Sequence, residues 1–282
     1  TAGETVIDIR GDKDDSLSRG HVCPKAVALQ DIHEDPDRLR KPLKRVRSVA
    51  GQYHHVEIEW SEALDLAADA LASAIQSHGV NAVGAYFGNP SVHNYGMMTH
   101  QRNLFRHIRT RNRFSATSVD QLPHHLVSMW LYGHMLLNPI PDIDRTHYFL
   151  MLGANPLASN GSIWTVPDVR RRIKELTARG GKLVVIDPRK TETAELASEH
   201  YFIRPGTDAA FLLGLIHVIF RDNLVALGAL AGVTDGVDAV RETVQSLTPT
   251  WAADITGIEA AHIEKVAHDL AAAKAGICYG RM

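Results

Sequence analysis

Two short apolar runs do most to limit what this chain can fold into. Tyr148-Phe149-Leu150-Met151-Leu152 stops at Gly153-Ala154-Asn155-Pro156, and Leu183-Val184-Val185-Ile186 stops at Asp187-Pro188-Arg189. Between them lie a polar loop and the helix-like Val169-Arg170-Arg171-Arg172-Ile173-Lys174-Glu175-Leu176, closed by Gly180-Gly181. Strands without polar alternation belong to parallel sheets buried on both faces, so His147 to Thr193 predicts a βαβ unit. The fold class is α/β, with Rossmann-like layers on parallel sheet. Ligands of such sheets bind beyond the carboxyl ends of the strands, and both ends here carry polar turn formers.

The chain has 282 residues, enough for one large or two moderate domains. Its net charge of -2 excludes a global field for nucleic acid or an anionic membrane. No apolar run approaches the roughly 20 residues of a membrane span. Cys23 and Cys278 lie near opposite ends and read as thiols, which leans towards a reducing, cytoplasmic compartment. The opening residues read as mid-protein and the last, Ile277-Cys278-Tyr279-Gly280, as the start of a strand, so both termini read as cut.

In chain order, Thr5 to Arg10 predicts a strand, and Gly20-His21-Val22-Cys23-Pro24-Lys25 follows a charged turn. Cys-Pro often ends iron–sulfur ligand runs, but a cluster takes about four thiolates, so by itself Cys23 reads as a buried structural residue. Arg38 to Arg47 is basic without interleaved aromatics, which favours a solvated arm over nucleic-acid stacking. Tyr53 to Glu59 predicts a strand. Trp60 opens a helix with Ser61 as N-cap, an apolar stripe of Leu64, Ala67, Ala68, Leu71, Ala74 and Ile75, and a stop at Gly79. Ala82 to Phe87 predicts a buried strand running into Gly88-Asn89-Pro90. This echo of Gly153-Ala154-Asn155-Pro156 marks either two related layers or common turn chemistry.

Asn94 to Arg109 predicts a helix, Phe114 to Val119 a short strand, and His124 to His134 another helix. His93, His100 and His107 recur every seven residues, too far apart for one metal, and the pairs His54-His55 and His124-His125 read as surface or capping residues. Beyond Arg189, a short helix at Thr191 to Glu195 and a third strand at Tyr201 to Ile203 lead to Arg204-Pro205-Gly206-Thr207-Asp208. Helices are predicted over Ala209–Phe220, Val237–Ser246 and Ile258–Ala273.

No Walker-type loop, G-x-G-x-x-G, H-E-x-x-H or paired C-x-x-C is present, which disfavours a P-loop NTPase, a simple NAD dehydrogenase and a zinc site. The polar signal sits at three strand ends: Asn155-Pro156, Asp187-Pro188-Arg189 and Gly206-Thr207-Asp208. A carboxylate there can accept from a ribose diol or from the N1–H and N2–H edge of guanine. Glycine admits close backbone approach, and Arg189 and Lys190 suit phosphate oxygens. Any one of these alone reads as a turn or cap; three in succession favour a nucleotide-like ligand.

Taken together these segments resemble the molybdopterin-dependent oxidoreductases, the dimethyl-sulfoxide reductase and formate dehydrogenase superfamily. The resemblance rests on Gly20 to Lys25, Arg38-Leu39-Arg40-Lys41-Pro42-Leu43-Lys44-Arg45, Trp60-Ser61-Glu62-Ala63-Leu64, Gly153 to Pro156, Asp187-Pro188-Arg189-Lys190-Thr191-Glu192-Thr193 and Gly206-Thr207-Asp208-Ala209, in that order. It implies a molybdenum or tungsten ion held by a bis-molybdopterin guanine dinucleotide cofactor, with a nearby [4Fe–4S] cluster. On this resemblance residues 1–59 are an arm of the iron–sulfur domain, 60–118 part of a second α/β layer, and 119–282 a third, Rossmann-like layer that binds the guanine dinucleotide.

The resemblance also implies roles. Cys23 matches the fourth cluster cysteine, the other three preceding residue 1, and Lys25 matches the lysine between cluster and pterin. Asp120 falls at the metal-ligand position, with Ser118 and Ser115 as alternatives and a plain helix N-cap as the bland reading. Gln121 and Leu122 replace the His and Gly of formate dehydrogenases, which weighs against formate oxidation. Asn155, Asp187, Arg189, Gly206, Thr207 and Asp208 would contact one pterin guanine dinucleotide, with the loop Gly88–Asn94 nearer the pterin. The implied function is two-electron redox of a small molecule, with electrons leaving through the cluster to a partner protein. No nucleic acid and no direct membrane insertion are implied, and the chain alone is expected to be inactive. The alternatives are a vestigial, cofactor-less electron-transfer subunit and a nucleotide-binding domain of another α/β enzyme, such as a thiamine-diphosphate enzyme.

Overall fold

The computed structural model describes residues 5–161 and 164–281. They form two units, one of residues up to Ile9 with Pro24–Asn138, the other of Arg10–Cys23 with the residues from Pro139 onward. The sequence reading placed residues 119–138 with the third layer; here they group with the first unit.

The first unit begins with short helices α1 (Pro24–Val27) and α2 (Leu29–Glu34) and an antiparallel hairpin of β1 (Leu43–Arg47) and β2 (Tyr53–Glu57), in register Leu43↔Glu57. Helix α3 (Trp60–His78) follows. The hairpin lysines reach its start: Lys41 pairs with Glu59 at 2.6 Å and Lys44 with Glu62 at 3.0 Å. Strand β3 (Ala85–Phe87), helix α4 (Tyr95–Ile108) and strand β4 (Arg113–Ser115) make a small parallel βαβ crossover, and α5 (Leu122–Tyr132) comes after it. Asn94 caps α4, its side chain accepting the Met97 N–H at 2.9 Å.

Several expectations are corrected here. Residues 6–10 form no strand; Thr5 makes only an isolated bridge. Helix α3 starts at Trp60, so Ser61 lies inside it and Glu59 stands at the cap without a side-chain cap bond. The strand expected at Ala82–Phe87 shrinks to three residues because Val80–Ala82 is a 3-10 turn, and it is not buried, having only β4 beside it. The strand expected at Phe114–Val119 ends at Ser115, whose hydroxyl accepts the Thr117 N–H and starts a 3-10 turn over Ala116–Val119. His125 is buried on α5, not a surface or capping residue. The apolar stripe of α3 exists but covers no core among the described residues: Leu64 is exposed, and no residue of the helix is buried.

The second unit holds the predicted βαβ element and extends it. In order come β5 (Tyr148–Leu152), α6 (Pro156–Ser159), α7 (Val169–Ala178), β6 (Lys182–Ile186), α8 (Glu192–Glu195) and β7 (Glu199–Tyr201). Then follow α9 (Asp208–Arg221), α10 (Val237–Val244), α11 (Pro249–Thr256), α12 (Ala260–Ala272) and β8 (Gly276–Gly280). The sheet order is β7-β6-β5-β8, all parallel.

The unbroken apolar runs have a direct cause: successive side chains serve two cores. Tyr148, Leu150, Leu152, Val184 and Ile186 pack with Phe211, Leu215 and Val218 of α9, Ala252 of α11, and Ile263 and Val266 of α12. Phe149, Met151, Leu183 and Val185 pack with Val169, Ile173 and Leu176 of α7. The turn from α7 to β6 is a Schellman motif. Gly180 adopts φ +82°, its N–H donates to the Thr177 carbonyl at 2.9 Å, and the Gly181 N–H donates to that of Leu176 at 2.9 Å.

The third strand is shifted to Glu199–Tyr201, since Ile203 leaves the sheet to enter the core and the Arg204 N–H turns to the Thr256 carbonyl at 2.9 Å. Helix α11 was not read from the sequence, although Thr248 caps it and Pro249 opens it. The segment of residues 10–23 is fastened by Arg172, which is 5% exposed and bonds Asp144 and the carbonyls of Leu17 and Pro167. No described helix is long and apolar enough to cross a membrane.

A polar network lies at the amino ends of the strands. Lys265 bridges Glu199 (2.6 Å) and Asp269 (3.0 Å), and Asp269 also meets Lys182 at 3.1 Å. Partial burial pushes both carboxyls up, but the hydrogen bonds from Lys265, with Tyr201 on Glu199 and Lys182 on Asp269, hold both below their ordinary values. Depressed folded values give stability that is present above the unfolded pKa of about 4 and is lost as pH falls through them. The urea midpoint should therefore drop between pH 5.5 and pH 3, and Lys265→Met should flatten that drop. Beside this network the Tyr148 hydroxyl is buried without a hydrogen-bond partner among the described residues, and burial, then the charges of Asp269 and Glu199, push its pKa up. Tyr148→Phe removes that desolvated group and should raise stability at pH 7 by about 1 kcal/mol in urea melts.

Candidate nucleotide-binding edge and cofactor site

Because the four strands run parallel, their carboxyl ends share one edge. The turn after β5 is stitched to the end of β6, the Gly153 N–H donating to the Ile186 carbonyl at 2.9 Å. Asp187, the next residue, is 8% exposed. Its N–H donates to the Tyr201 carbonyl at 3.2 Å, and its Oδ1 accepts the Arg189 N–H at 2.8 Å. No hydrogen bond from the described residues reaches Oδ2. His200 Nε2 lies 3.1 Å from the Asp187 carbonyl oxygen, which assigns the ring proton to Nε2.

Asn155 opens α6 without capping it through its side chain. Its amide is committed instead: Nδ2 donates to Glu192 at 2.7 Å, and Oδ1 accepts the Thr193 hydroxyl at 2.7 Å. That hydroxyl, fully buried, also accepts the Leu157 N–H at 3.3 Å. Glu192 lies 4.0 Å from the exposed Arg189 guanidinium. Its own backbone N–H, then the Asn155 amide and Arg189, hold Glu192 below the usual carboxylate range. So Asn155 and Asp187 belong to one chain of contacts through Glu192 and Arg189.

The third strand end supplies Gly206, Thr207 and Asp208. Gly206 has φ +80° with open space where a Cβ would stand, a backbone that favours glycine. The Thr207 hydroxyl donates to the Arg204 carbonyl at 2.6 Å, so it shapes the turn and leaves the first turn of α9 uncapped. Half-buried Asp208 begins that helix, where a carboxylate complements the positive end of the dipole. Sequence reasoning missed Glu192 and Thr193, which hold Asn155, although both lie in the quoted Asp187-to-Thr193 segment. It also missed His200, for which nothing in the sequence signalled.

Asp120 belongs to the first unit. It is exposed and ends the 3-10 turn of residues 116–119, its N–H donating to the Ala116 carbonyl at 3.1 Å. Gln121, not Asp120, stands at the start of α5, so the plain N-cap alternative is overturned. Asp120 lines a cavity of about 400 Å³ together with Gly88, Asn89, Gln101, Arg102 and Arg113. Gln101 Oε1 is itself buried and has no hydrogen-bond partner among the described residues. Ser118 is exposed and does not line this cavity; Ser115 lines it with its hydroxyl engaged by Thr117. Lys25 is exposed on α1 of the first unit, and Cys23, half-buried, falls in the second. Among the described residues no three His, Cys, Asp or Glu side chains gather as a metal-ligand set.

A family model described as molybdopterin oxidoreductase matches residues 38–249. The chain belongs to the molybdopterin oxidoreductase family. Formate dehydrogenase H of Escherichia coli is 30% identical over 93% of this chain and 36% of its own length. The dimethyl sulfoxide/trimethylamine N-oxide reductase of Cereibacter sphaeroides is 28% identical over 86% of this chain and 31% of its own length. Among solved structures, acetylene hydratase from Pelobacter acetylenicus superposes with a TM-score of 0.75 at 26% identity, covering 100% of this chain and 37% of that one. The chain thus spans about a third of the length of these relatives. Membership implies a molybdenum or tungsten pterin cofactor, and it confirms the α/β family fold.

The chemistry of the carboxyl edge suits a nucleotide ligand. Asp187 offers an unengaged oxygen within a buried turn, and the open turn at Gly206 admits close approach. The donor set fits a cluster less well, since Cys23 stands against the roughly four thiolates a [4Fe–4S] cluster takes. The edge itself depends on the Thr193 hydroxyl. Thr193→Val would leave Asn155 Oδ1 and the Leu157 N–H unpaired, at a cost of about 1–3 kcal/mol. Urea melts should show that loss, with faster amide exchange over residues 156–159.

Proposed function

We propose that this chain is part of a molybdenum or tungsten oxidoreductase with two pterin guanine dinucleotides, and that the carboxyl edge of β5, β6 and β7 holds the guanosine of one of them. The observation that carries this reading is Asp187: a carboxylate buried at a strand end, one oxygen held by the Arg189 N–H and the other unengaged. Such an oxygen accepts from guanine N1–H and N2–H or from a ribose diol. Asp208 presents a second carboxylate from the start of α9. Gly206 and Thr207 form the turn that brings the ligand near backbone, and Asn155, locked by Thr193 and Glu192, anchors the turn after β5. Arg189 stands exposed for a phosphate oxygen.

Asp120 is proposed as the metal's side-chain ligand, with the Gly88–Asn94 loop beside the pterin; the cavity that Asp120 lines together with Gly88 and Asn89 supports this. When bound, the cofactor supplies the two-electron chemistry, and the protein's part is to bind and orient it. Cys23 is proposed as one thiolate of a [4Fe–4S] cluster and Lys25 as the residue between cluster and pterin, with a redox protein as partner. The relatives' names include a formate dehydrogenase, a dimethyl sulfoxide reductase and an acetylene hydratase, so family membership fixes no substrate. The widely separated cysteines favour a reducing, cytoplasmic setting. Family membership removes the thiamine-enzyme alternative. A vestigial subunit would leave Asp187 and the held Asn155 turn without purpose.

Isothermal titration with GMP tests the guanosine site. GMP should bind, IMP, which lacks the N2 amine, should bind more weakly, and Asp187→Asn should cost roughly tenfold or more, as expected for a hydrogen bond to a charged acceptor. Equal affinity of the Asp187→Asn protein would sink the assignment.

A further inference from the structure

The aromatic ring of Phe202 has no part in the fold's core. It stands 61% exposed, one residue beyond the end of β7, in an otherwise polar edge. Single exposed aromatics are ordinary, but this one is held. Its ring meets that of His200 edge-on, with centroids 4.5 Å apart and planes at 67°. His200 in turn is fixed by the hydrogen bond from its Nε2 to the Asp187 carbonyl at 3.1 Å. The register Ile186↔Tyr201 sets Asp187 and Phe202 side by side, each the first residue past its own strand. A buried carboxylate and an open aromatic surface therefore stand next to each other, linked through one imidazole. A carboxylate reads the edge of a planar base, while an aromatic ring meets its face; together they define both the plane and the rim of one heterocycle.

We infer that Phe202 is the stacking platform for the purine base whose edge Asp187 reads, and that His200 positions both. This rests on the reading of the carboxyl edge as a guanosine site and adds the residue that selects a large planar base. Stacking of a base on an aromatic side chain is sequence-tolerant and sizeable, so removing it should weaken binding roughly 5- to 150-fold.

The test is titration of the whole chain with GMP and CMP, in the wild type and in Phe202→Ala, Phe202→Leu, Phe202→Tyr and Asp187→Asn, with circular dichroism to verify folding. GMP should bind more tightly than CMP. Phe202→Ala and Phe202→Leu should both lose most of that preference, Leu because it keeps bulk without a π face, while Phe202→Tyr retains it. If Asp187→Asn weakens GMP but Phe202→Leu binds as the wild type does, the platform is overturned and the guanosine site stands. If the wild type binds no GMP, or Asp187→Asn leaves GMP affinity unchanged, the guanosine reading fails and the platform with it. Should Phe202→Ala not fold, the Leu and Tyr pair decides.

Discussion

The burial of β5 and β6 on both faces is the constraint on which the rest of the second unit depends. Five consecutive apolar residues in Tyr148–Leu152 leave no side of the strand for water, so helices must cover both faces: α7 on one, α9, α11 and α12 on the other. Helices that pack on a parallel sheet run back from its carboxyl edge, which forces the polar turns to gather there. The Schellman turn at Gly180-Gly181 sets where β6 begins, and with it the register Tyr148↔Lys182. Gly153 and Asp187 thereby finish at the same level.

The polar groups of the second unit's sheet divide between the two ends of its strands. At the amino ends, Glu199, Lys265, Asp269 and Lys182 form a charge network beside the Tyr148 hydroxyl, which has no hydrogen-bond partner among the described residues. At the carboxyl ends, Asn155 bonds Glu192 and Thr193, and the Thr193 hydroxyl also takes the Leu157 N–H. No hydrogen bond from the described residues reaches Asp187 Oδ2, and nothing stands within 4 Å of where a Cβ on Gly206 would lie. The first group is bound up in charge pairs; the second leaves a carboxylate oxygen unspent.

Much of this was legible in the sequence because its cause is local. The two apolar runs, the glycines that end them and the Asp-Pro-Arg and Gly-Thr-Asp turns announce the strands and their edge at once, and family resemblance rested on the same segments. The first unit was read less well. Its parallel strands β3 and β4 are three residues long and pair with each other, so no burial pattern marks them, and the hydroxyl of Ser115 ends β4 where the residue types alone suggested extension. Helix α3 begins at Trp60 rather than after Ser61, and the acidic residues at its start pair with Lys41 and Lys44, 18 positions earlier.

The sequence by itself determined the α/β class, the buried parallel strands and the carboxylates at the strand ends, since each follows from the order of a few neighbouring residues, and it pointed to the family through a resemblance carried by segments spread along the chain. Only the tertiary structure decided which of those polar groups are spent. Asn155 is consumed by Glu192 and Thr193, Thr207 by the Arg204 carbonyl, and Oδ1 of Asp187 by the Arg189 N–H, while no hydrogen bond from the described residues reaches Oδ2 and the Phe202 ring meets that of His200. Hydrogen-bond partners 13 to 38 residues apart meet only once the sheet has formed, and no local pattern records which of them will claim a given atom.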